Sequence, residues 1–270
     1  MRVLRPWIKS LLTRMLAKRG MALSRPAGAI DVGEIRLRQM KRRGFEARCI
    51  VDGGAADGIA AREFKHIFPD AQVLCVEPRS DAQPNLQALA RELPGIHVAQ
   101  VLIGEQEGTI EFNEQGEVSS VHGDASGRAF GNVKLTPMTT LDRLVERHGL
   151  PLPDLIKLDL QGAELGALGG AARCLAHAQA VLIELSFHRI FDNAPDFADA
   201  VLFLRDRGFL SYDIFSLMQR PLDGALAQGD FLFLRHDSPL WSDRRWNEQG
   251  TFDMAGGATR HAIAAMKDKA

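Results

Sequence analysis

Between residues 45 and 236 the chain repeats one rhythm: a short apolar run, a turn rich in glycine or proline, then a longer stretch with apolar positions at helical spacing. Residues 49–52 read as a strand ending in an acid and glycines, and residues 57–68 as a helix stopped by Pro69. Residues 72–77 predict a second strand, residues 81–93 a helix closed by Pro94 and Gly95, and residues 96–103 a third strand. The rhythm breaks over residues 104–137, where Gly, Ser and Asn surround two β-like pieces, 109–112 and 133–135, and predict a hairpin within an irregular loop. It resumes with a helix over 139–148, capped by Thr139 or Thr140 and ended by Gly149 and Pro151. Then come a strand at 155–160, a helix at 163–175, a strand at 180–187 and a helix at 195–207 with Gly208 at its end. Two last apolar runs, 212–217 and 231–234, leave no room for a helix between them.

Near-continuous apolar strands alternating with helices predict a doubly wound α/β fold, its mostly parallel sheet covered on both faces. The last two runs pair as a C-terminal antiparallel hairpin, which turns one of them against the rest. Residues 45–236 are the expected globular domain, residues 237–270 a tail of loop-like composition. Residues 1–44 are an appendage. Val3, Leu4, Trp7, Ile8, Leu11, Leu12, Met15 and Leu16 recur at helical spacing among Arg2, Arg5, Lys9, Arg14, Lys18 and Arg19, with no acid before Asp31. This is a basic amphipathic helix, too interrupted for a signal peptide or a membrane span. Two readings stay open: packing on its own domain or on a partner subunit of a homo-oligomer, or peripheral contact with an anionic inner-membrane surface. A linker over 21–30 and a short helix over 31–44, ended by Gly44, complete the segment.

Composition narrows this picture. The 270 residues are 46% hydrophobic and 25% charged, with a formal net charge of -1, the balance of a soluble globular protein and no general attraction for nucleic acid. Cys49, Cys75 and Cys174 are scattered and odd in number. They argue against a disulfide framework or structural zinc and read as buried small hydrophobes in a reducing, cytoplasmic compartment.

Candidate chemistry gathers at the carboxyl ends of the predicted strands, where doubly wound folds bind ligands. Residues 51–58 read Val-Asp-Gly-Gly-Ala-Ala-Asp-Gly between the first strand and the first helix. Glycines there let the backbone turn tightly against a ligand, and Asp52 at the strand tip suits a polar or cationic group. Glu77, at the tip of the second strand, stands where an acid accepts hydrogen bonds from ribose hydroxyls. The pair fits a nucleoside-bearing cofactor. A dinucleotide loop asks for Gly-x-Gly-x-x-Gly around the pyrophosphate; here the frame reads Gly53-x-Ala55-x-x-Gly58. S-adenosylmethionine has no pyrophosphate, carries a sulfonium, and suits an acid before the glycines. Asp159 ends the fourth strand on the same edge. Glu164 opens the next helix, as a functional acid or as a first-turn acid favoured by the helix dipole. Glu184 interrupts an apolar strand, which is costly unless it is paired or functional. His188 follows as a surface histidine or a base.

The chain resembles the FkbM family of methyltransferases from about residue 49 to 235. The resemblance rests on the loop at 51–58, Val76-Glu77-Pro78, Thr140-Leu141-Asp142, and Ile156-Lys157-Leu158-Asp159 continuing through Gln161-Gly162-Ala163-Glu164-Leu165. It extends to Ile183-Glu184-Leu185-Ser186-Phe187, Arg207-Gly208-Phe209 and Gly229-Asp230-Phe231-Leu232-Phe233, with Lys-x-Asp-x-Gln-Gly-x-Glu the most specific piece. It implies a Rossmann-like class I methyltransferase sheet of seven strands, S-adenosylmethionine as cofactor, and O-methylation of sugar hydroxyls, lipid-linked saccharides or secondary metabolites. The family's cofactor positions fall on Asp52, Gly54, Gly58 and Glu77; Gly53, Ala55, Asp57 and Pro78 complete the candidate set. Asp57 stands where the family usually has Asn.

A hydroxyl acceptor must lose its proton during transfer, which calls for a base or a metal. Asp159 is the expected base or ligand, with Glu184 and His188 as further catalytic candidates. Hard oxygen ligands at a strand tip would suit Mg²⁺, although the sequence shows no full ligand set. An NAD-dependent oxidoreductase and a non-catalytic S-adenosylmethionine-binding module are the competing readings.

Overall fold

A computed structural model describes residues 30–114, 119–121, 132–188 and 194–243. The amphipathic segment of residues 1–20, almost all of the linker and residues 244–270 of the tail lie outside the described residues. The chain divides into two units, residues 1–236 and residues 237–270. In the second, a 3₁₀ turn, Pro239–Trp241, is capped by the Ser238 side chain.

The first unit is built on a sheet that begins at its centre. β2 (Cys49–Gly53) is buried along its whole length and pairs in parallel with β3 (Gln72–Val76) on one side and β8 (Leu155–Leu158) on the other. From β2 the chain moves outward through helix α2 (Ile59–Ile67), β3, helix α3 (Gln83–Glu92) and β4 (Ile96–Ala99). It then returns across the sheet to β8, and moves outward the other way through β9 (Ala180–Ser186) to the hairpin of β10 (Phe209–Gln219) and β11 (Leu226–Arg235). The resulting order is β10-β11-β9-β8-β2-β3-β4, with β11 antiparallel to both its neighbours. These are the seven strands of the expected sheet. A two-residue strand, β1 (Ile30–Asp31), adds an eighth beyond β10. The direction of travel reverses between β2 and β8, and a reversal of this kind opens a crevice at the carboxyl ends of the strands.

Val51, Ile156, Leu158, Val181, Ile183 and Phe233 pack into one core, all with almost no exposure. Helix α1 (Gly33–Arg42) buries Leu37 and Met40. Helix α7 (Phe197–Arg205) starts at a reciprocal capping box between Asp196 and Asp199. All three cysteines are buried and free.

Two expectations need correction. Residues 96–103 are not one strand. After β4 the chain leaves the main sheet, and β5 (Leu102–Ile103) joins a second sheet, β5-β7-β6, with β6 (Gly108–Glu114) and β7 (Asn132–Thr139). Leu102 and Ile103 are buried, as are Ile96 and Ala99 of β4, so apolarity alone does not reveal the change of partner. Residues 163–175 are not one helix either. They divide into α5 (Glu164–Gly169) and α6 (Ala172–His177). The break falls at Gly170, where a Cβ would come within 2.2 Å of the Gly104 carbonyl oxygen. Asp142, in helix α4 (Leu141–Arg147), accepts from the backbone amides of Arg173 and Cys174 and so caps the new start. Thr140 caps α4 itself.

Candidate active site

A cavity of about 780 Å³ opens at the carboxyl edge of the sheet, within the ~300–1,000 Å³ typical of small-ligand sites. The tips of β2, β3, β8 and β9 supply Gly54, Glu77, Asp159 and Glu184 to its wall. The second sheet covers it with Ile103, Ile110, Phe112 and Met138.

At one end stands Glu77, 5% exposed. Its Oε2 accepts from the Ala56 amide at 2.9 Å, and its Oε1 from the Arg79 amide at 3.0 Å and Nε at 3.2 Å. Oε2, with a single donor, keeps a lone pair for a ligand hydroxyl. Pro78 lines the wall beside it. Arg79, almost fully buried, also faces Asp81 at 3.6 Å.

The glycine loop is fixed by contacts only small residues allow. A Cβ on Gly54 would lie 1.9 Å from the Asp159 carbonyl oxygen, and φ there is +75°. Ala56 is also held left-handed, at φ 45°. Gly54 and Ala56 face the cavity; Gly53 packs on Leu158. Gly58, at φ +78°, caps α2 and packs on Leu86 and Leu89 of α3. Asp57 accepts from Asn85 Nδ2 at 3.0 Å, joining the loop to α3. Buried Ala55, together with Asp57, lines a smaller cavity of about 270 Å³ behind the loop. The loop amides are already engaged: those of Gly54 and Ala55 donate to the Val76 carbonyl, Ala56 to Glu77, and Gly58 to the Ala55 carbonyl. A pyrophosphate would need such amides free.

Asp52 does not reach the cavity. Its side chain has no exposure and lies 3.3 Å from the Lys157 ammonium. Lys157 also approaches Asp159 Oδ2 at 3.7 Å and donates to the Gly54 carbonyl at 3.4 Å. Burial, the largest influence, disfavours the ammonium, but Asp52, Asp159 and Asp230 together more than offset it and keep Lys157 charged. The cationic group that the sequence suggested for Asp52 is thus supplied by the protein.

At the far end Asp159 is one-third exposed. One amide nitrogen of Gln161 donates both to Asp159 Oδ1 at 2.9 Å and to Glu184 Oε2 at 3.0 Å. Gln228 donates to Glu184 Oε1 at 2.6 Å. Burial, and then the charges of Asp159 and Asp230, push the Glu184 carboxyl up to about 9, so it is protonated at neutral pH. Glu164 is buried and accepts from the amides of Leu160 and Gly162; burial moves it up to about 7. It holds the loop after β8. His188 lies off the main cavity, on a pocket of about 20 Å³ that it shares with Glu164 and Glu184. Among the described residues, no group of three or more His, Cys, Asp or Glu side chains is arranged to hold a metal ion.

Lys157 and Gln161, which the sequence marked only as parts of the most specific family segment, and Gln228, which it did not mark, also belong to this site. Lys157 breaks an apolar strand just as Glu184 does, and the cost of burying an unpaired charge predicts that each has a partner.

The order of the seven strands with β11 alone reversed among them, the glycine loop and the acid at the next strand tip define a class I methyltransferase fold. The Methyltransferase FkbM domain model matches residues 52–211, more than half of the chain, and the chain belongs to that family. It is 27% identical over 158 residues to the 2-O-methyltransferase NoeI of Sinorhizobium fredii, covering 53% of this chain and 65% of that protein. The chain thus spans less than two-thirds of this relative's length. The crystal structure of methyltransferase FkbM from Methylobacillus flagellatus aligns with a TM-score of 0.47 at 19% identity, over 69% of this chain and 43% of that one. Magnesium protoporphyrin IX methyltransferase from Synechocystis, solved with bound S-adenosylmethionine, aligns with a TM-score of 0.44 at 9% identity, over 87% of this chain and 86% of that one.

Proposed function

We propose that the chain is an S-adenosylmethionine-dependent O-methyltransferase acting on a hydroxyl of a saccharide or a comparable small polyhydroxylated acceptor. The observation that carries this reading is the Asp159–Glu184 carboxyl pair, in the same cavity as the Glu77 carboxylate, with Asp159 two strands and Glu184 three strands away from it. By strand spacing Asp159 lies about 10 Å and Glu184 about 14 Å from Glu77, room for an extended nucleoside–amino acid cofactor. Family membership and the 2-O-methyltransferase relative support the same direction.

The residues fit the cofactor. Glu77, oriented by Ala56 and Arg79, is placed for the ribose hydroxyls, and Gly54 and Ala56 leave the floor beside it open. When bound, S-adenosylmethionine supplies an electrophilic methyl on sulfur. Asp159 would accept the proton of the acceptor hydroxyl as the hydroxyl oxygen takes the methyl, the methyl–sulfur bond breaking with its electron pair left on sulfur as the neutral thioether of S-adenosylhomocysteine. Glu184 keeps its own proton, so the pair carries a single negative charge before the transfer. Lys157 balances that charge from behind the cavity. Holding acceptor and base in one geometry supplies much of the acceleration. With no metal ligand set among the described residues, the chain's own carboxylate takes the proton in this reading.

The engaged amides of the glycine loop favour this cofactor over NAD. The test is twofold. Calorimetry should detect S-adenosylhomocysteine and no NAD. A panel of hydroxylated saccharides and small molecules should then acquire label from radiolabelled S-adenosylmethionine. NAD binding without S-adenosylhomocysteine binding would overturn the cofactor assignment, and label appearing only on nitrogen or carbon would overturn O-methylation.

A further inference from the structure

Gln161 is the one residue of the cavity wall with a left-handed backbone and a side chain that joins two carboxyl groups. Its φ is 53°, a conformation few non-glycine residues adopt and one that persists only when its surroundings impose it. Ser120, 1% exposed and reaching in from the loop between β6 and β7, donates from its hydroxyl to the Gln161 carbonyl at 2.8 Å. Gly162, which follows, is also left-handed at φ 101°, and its amide donates to buried Glu164. The backbone of Gln161 is therefore held from both sides. Its side chain, turned into the cavity, places one nitrogen within 3.0 Å of both Asp159 and Glu184. A backbone conformation of this kind, kept at a polar residue in the reacting end of a cavity, points to a role for that side chain.

We propose that Gln161 is a positioning residue, whose amide clamps the Asp159 and Glu184 carboxyl groups side by side so that Asp159 can take the acceptor's proton. This rests on the O-methylation reading for its purpose; the clamp itself rests on the geometry alone. Donation to Asp159 Oδ1 leaves Oδ2, on the Lys157 side, to meet the acceptor. The charged and titratable groups that bear on the pair are Lys157 on β8, Asp230 on β11 and Glu164 on α5.

The experiment uses Gln161→Gly and Gln161→Asn in the full chain. Both residues accept a left-handed backbone, so the fold is kept. Glycine removes the amide, and asparagine shortens it by a methylene. Thermal stability should be unchanged or higher, and S-adenosylhomocysteine affinity should stay at the wild-type level. Methyl transfer should fall about 10²-fold, the loss expected of a misplaced reacting group. A second readout needs no acceptor: the carboxyl titration of Glu184, followed by carbon-13 NMR. Loss of a donor to both carboxyl groups removes stabilisation of their charged forms, so its midpoint should move up in both variants. Wild-type turnover, or an unmoved Glu184 midpoint, would overturn the clamp. So would a joint loss of stability and cofactor affinity, which marks a purely structural residue. A wild-type protein that binds S-adenosylhomocysteine but methylates no hydroxyl would overturn the O-methylation reading instead, and the Glu184 midpoint would still decide the clamp.

Discussion

At the scale of single residues, each charged group in the site has a partner that fixes its part. Asp159 is the only one of the Asp52, Asp159 and Glu184 carboxyls that is both open to the cavity and beside a charged lysine. Asp159→Asn keeps shape and loses the base. Turnover should fall by about 10²–10⁴-fold while calorimetry finds cofactor affinity little changed; wild-type turnover would place the base elsewhere. Asp52 and Lys157 make a different prediction. Lys157→Met strands a fully buried carboxylate, a change that typically costs ~3–5 kcal/mol. Adding Asp52→Asn removes the stranded charge, so the double variant should regain much of that stability in urea denaturation. A double variant as unstable as the single would show that Lys157 holds the Gly54 carbonyl rather than balancing Asp52.

At the scale of elements, the loop from Gly53 to Gly58 acts as a unit with the end of β8. Gly54→Ala drives a Cβ into the Asp159 carbonyl and demands a left-handed alanine. We expect a loss of at least about 2 kcal/mol in denaturant unfolding, with Asp159 displaced and activity lost in step. Glu77→Ala should leave the fold intact and weaken S-adenosylhomocysteine binding by roughly 1–3 kcal/mol; an unchanged affinity would put Glu77 outside the cofactor site. Much of this architecture was legible in the sequence, because the signals are local. β2, β3, β8 and β9 each announce themselves as apolar runs, and Gly44, Pro69 and Gly208 mark true ends. What stayed hidden depends on contacts between distant residues. The departure of β5 from the main sheet is decided by pairing with Met138 and Thr139. The break after α5 is decided by the approach of Gly104 and the cap from Asp142. Asp52 and Lys157 lie far apart in sequence and become neighbours only when β2 and β8 pair. Gln228 escaped notice because it precedes the apolar run that announced β11, although it lies within the strand.

At the scale of the whole molecule, the site leaves a mark on how stability depends on pH. Glu184 is held up to about 9 in the fold, and an unfolded glutamic acid returns to its ordinary value near 4.3. Between those values the folded chain holds a proton that the unfolded chain has released. The unfolding free energy therefore falls with rising pH across that window, by at most ~1.4 kcal/mol per pH unit for one group. The contribution is fully present below the unfolded value and lost as pH rises through the folded one. Glu164, held up to about 7, adds a shorter decline of the same sign that ends two units earlier. Glu184→Gln separates the two. Glutamine does not titrate and keeps an acceptor oxygen for Gln228; the bond from Gln161 to Oε2 is lost, which offsets the variant's stability by the same amount at every pH. Its melting temperature should gain on the wild type steadily from about pH 5 to pH 9 and hold that gain above. Thermal unfolding at unit pH steps across this range checks it. A constant difference between the two proteins at every pH would mean that Glu184 titrates alike in the folded and unfolded chains, and that the carboxyl pair does not retain its proton at neutral pH.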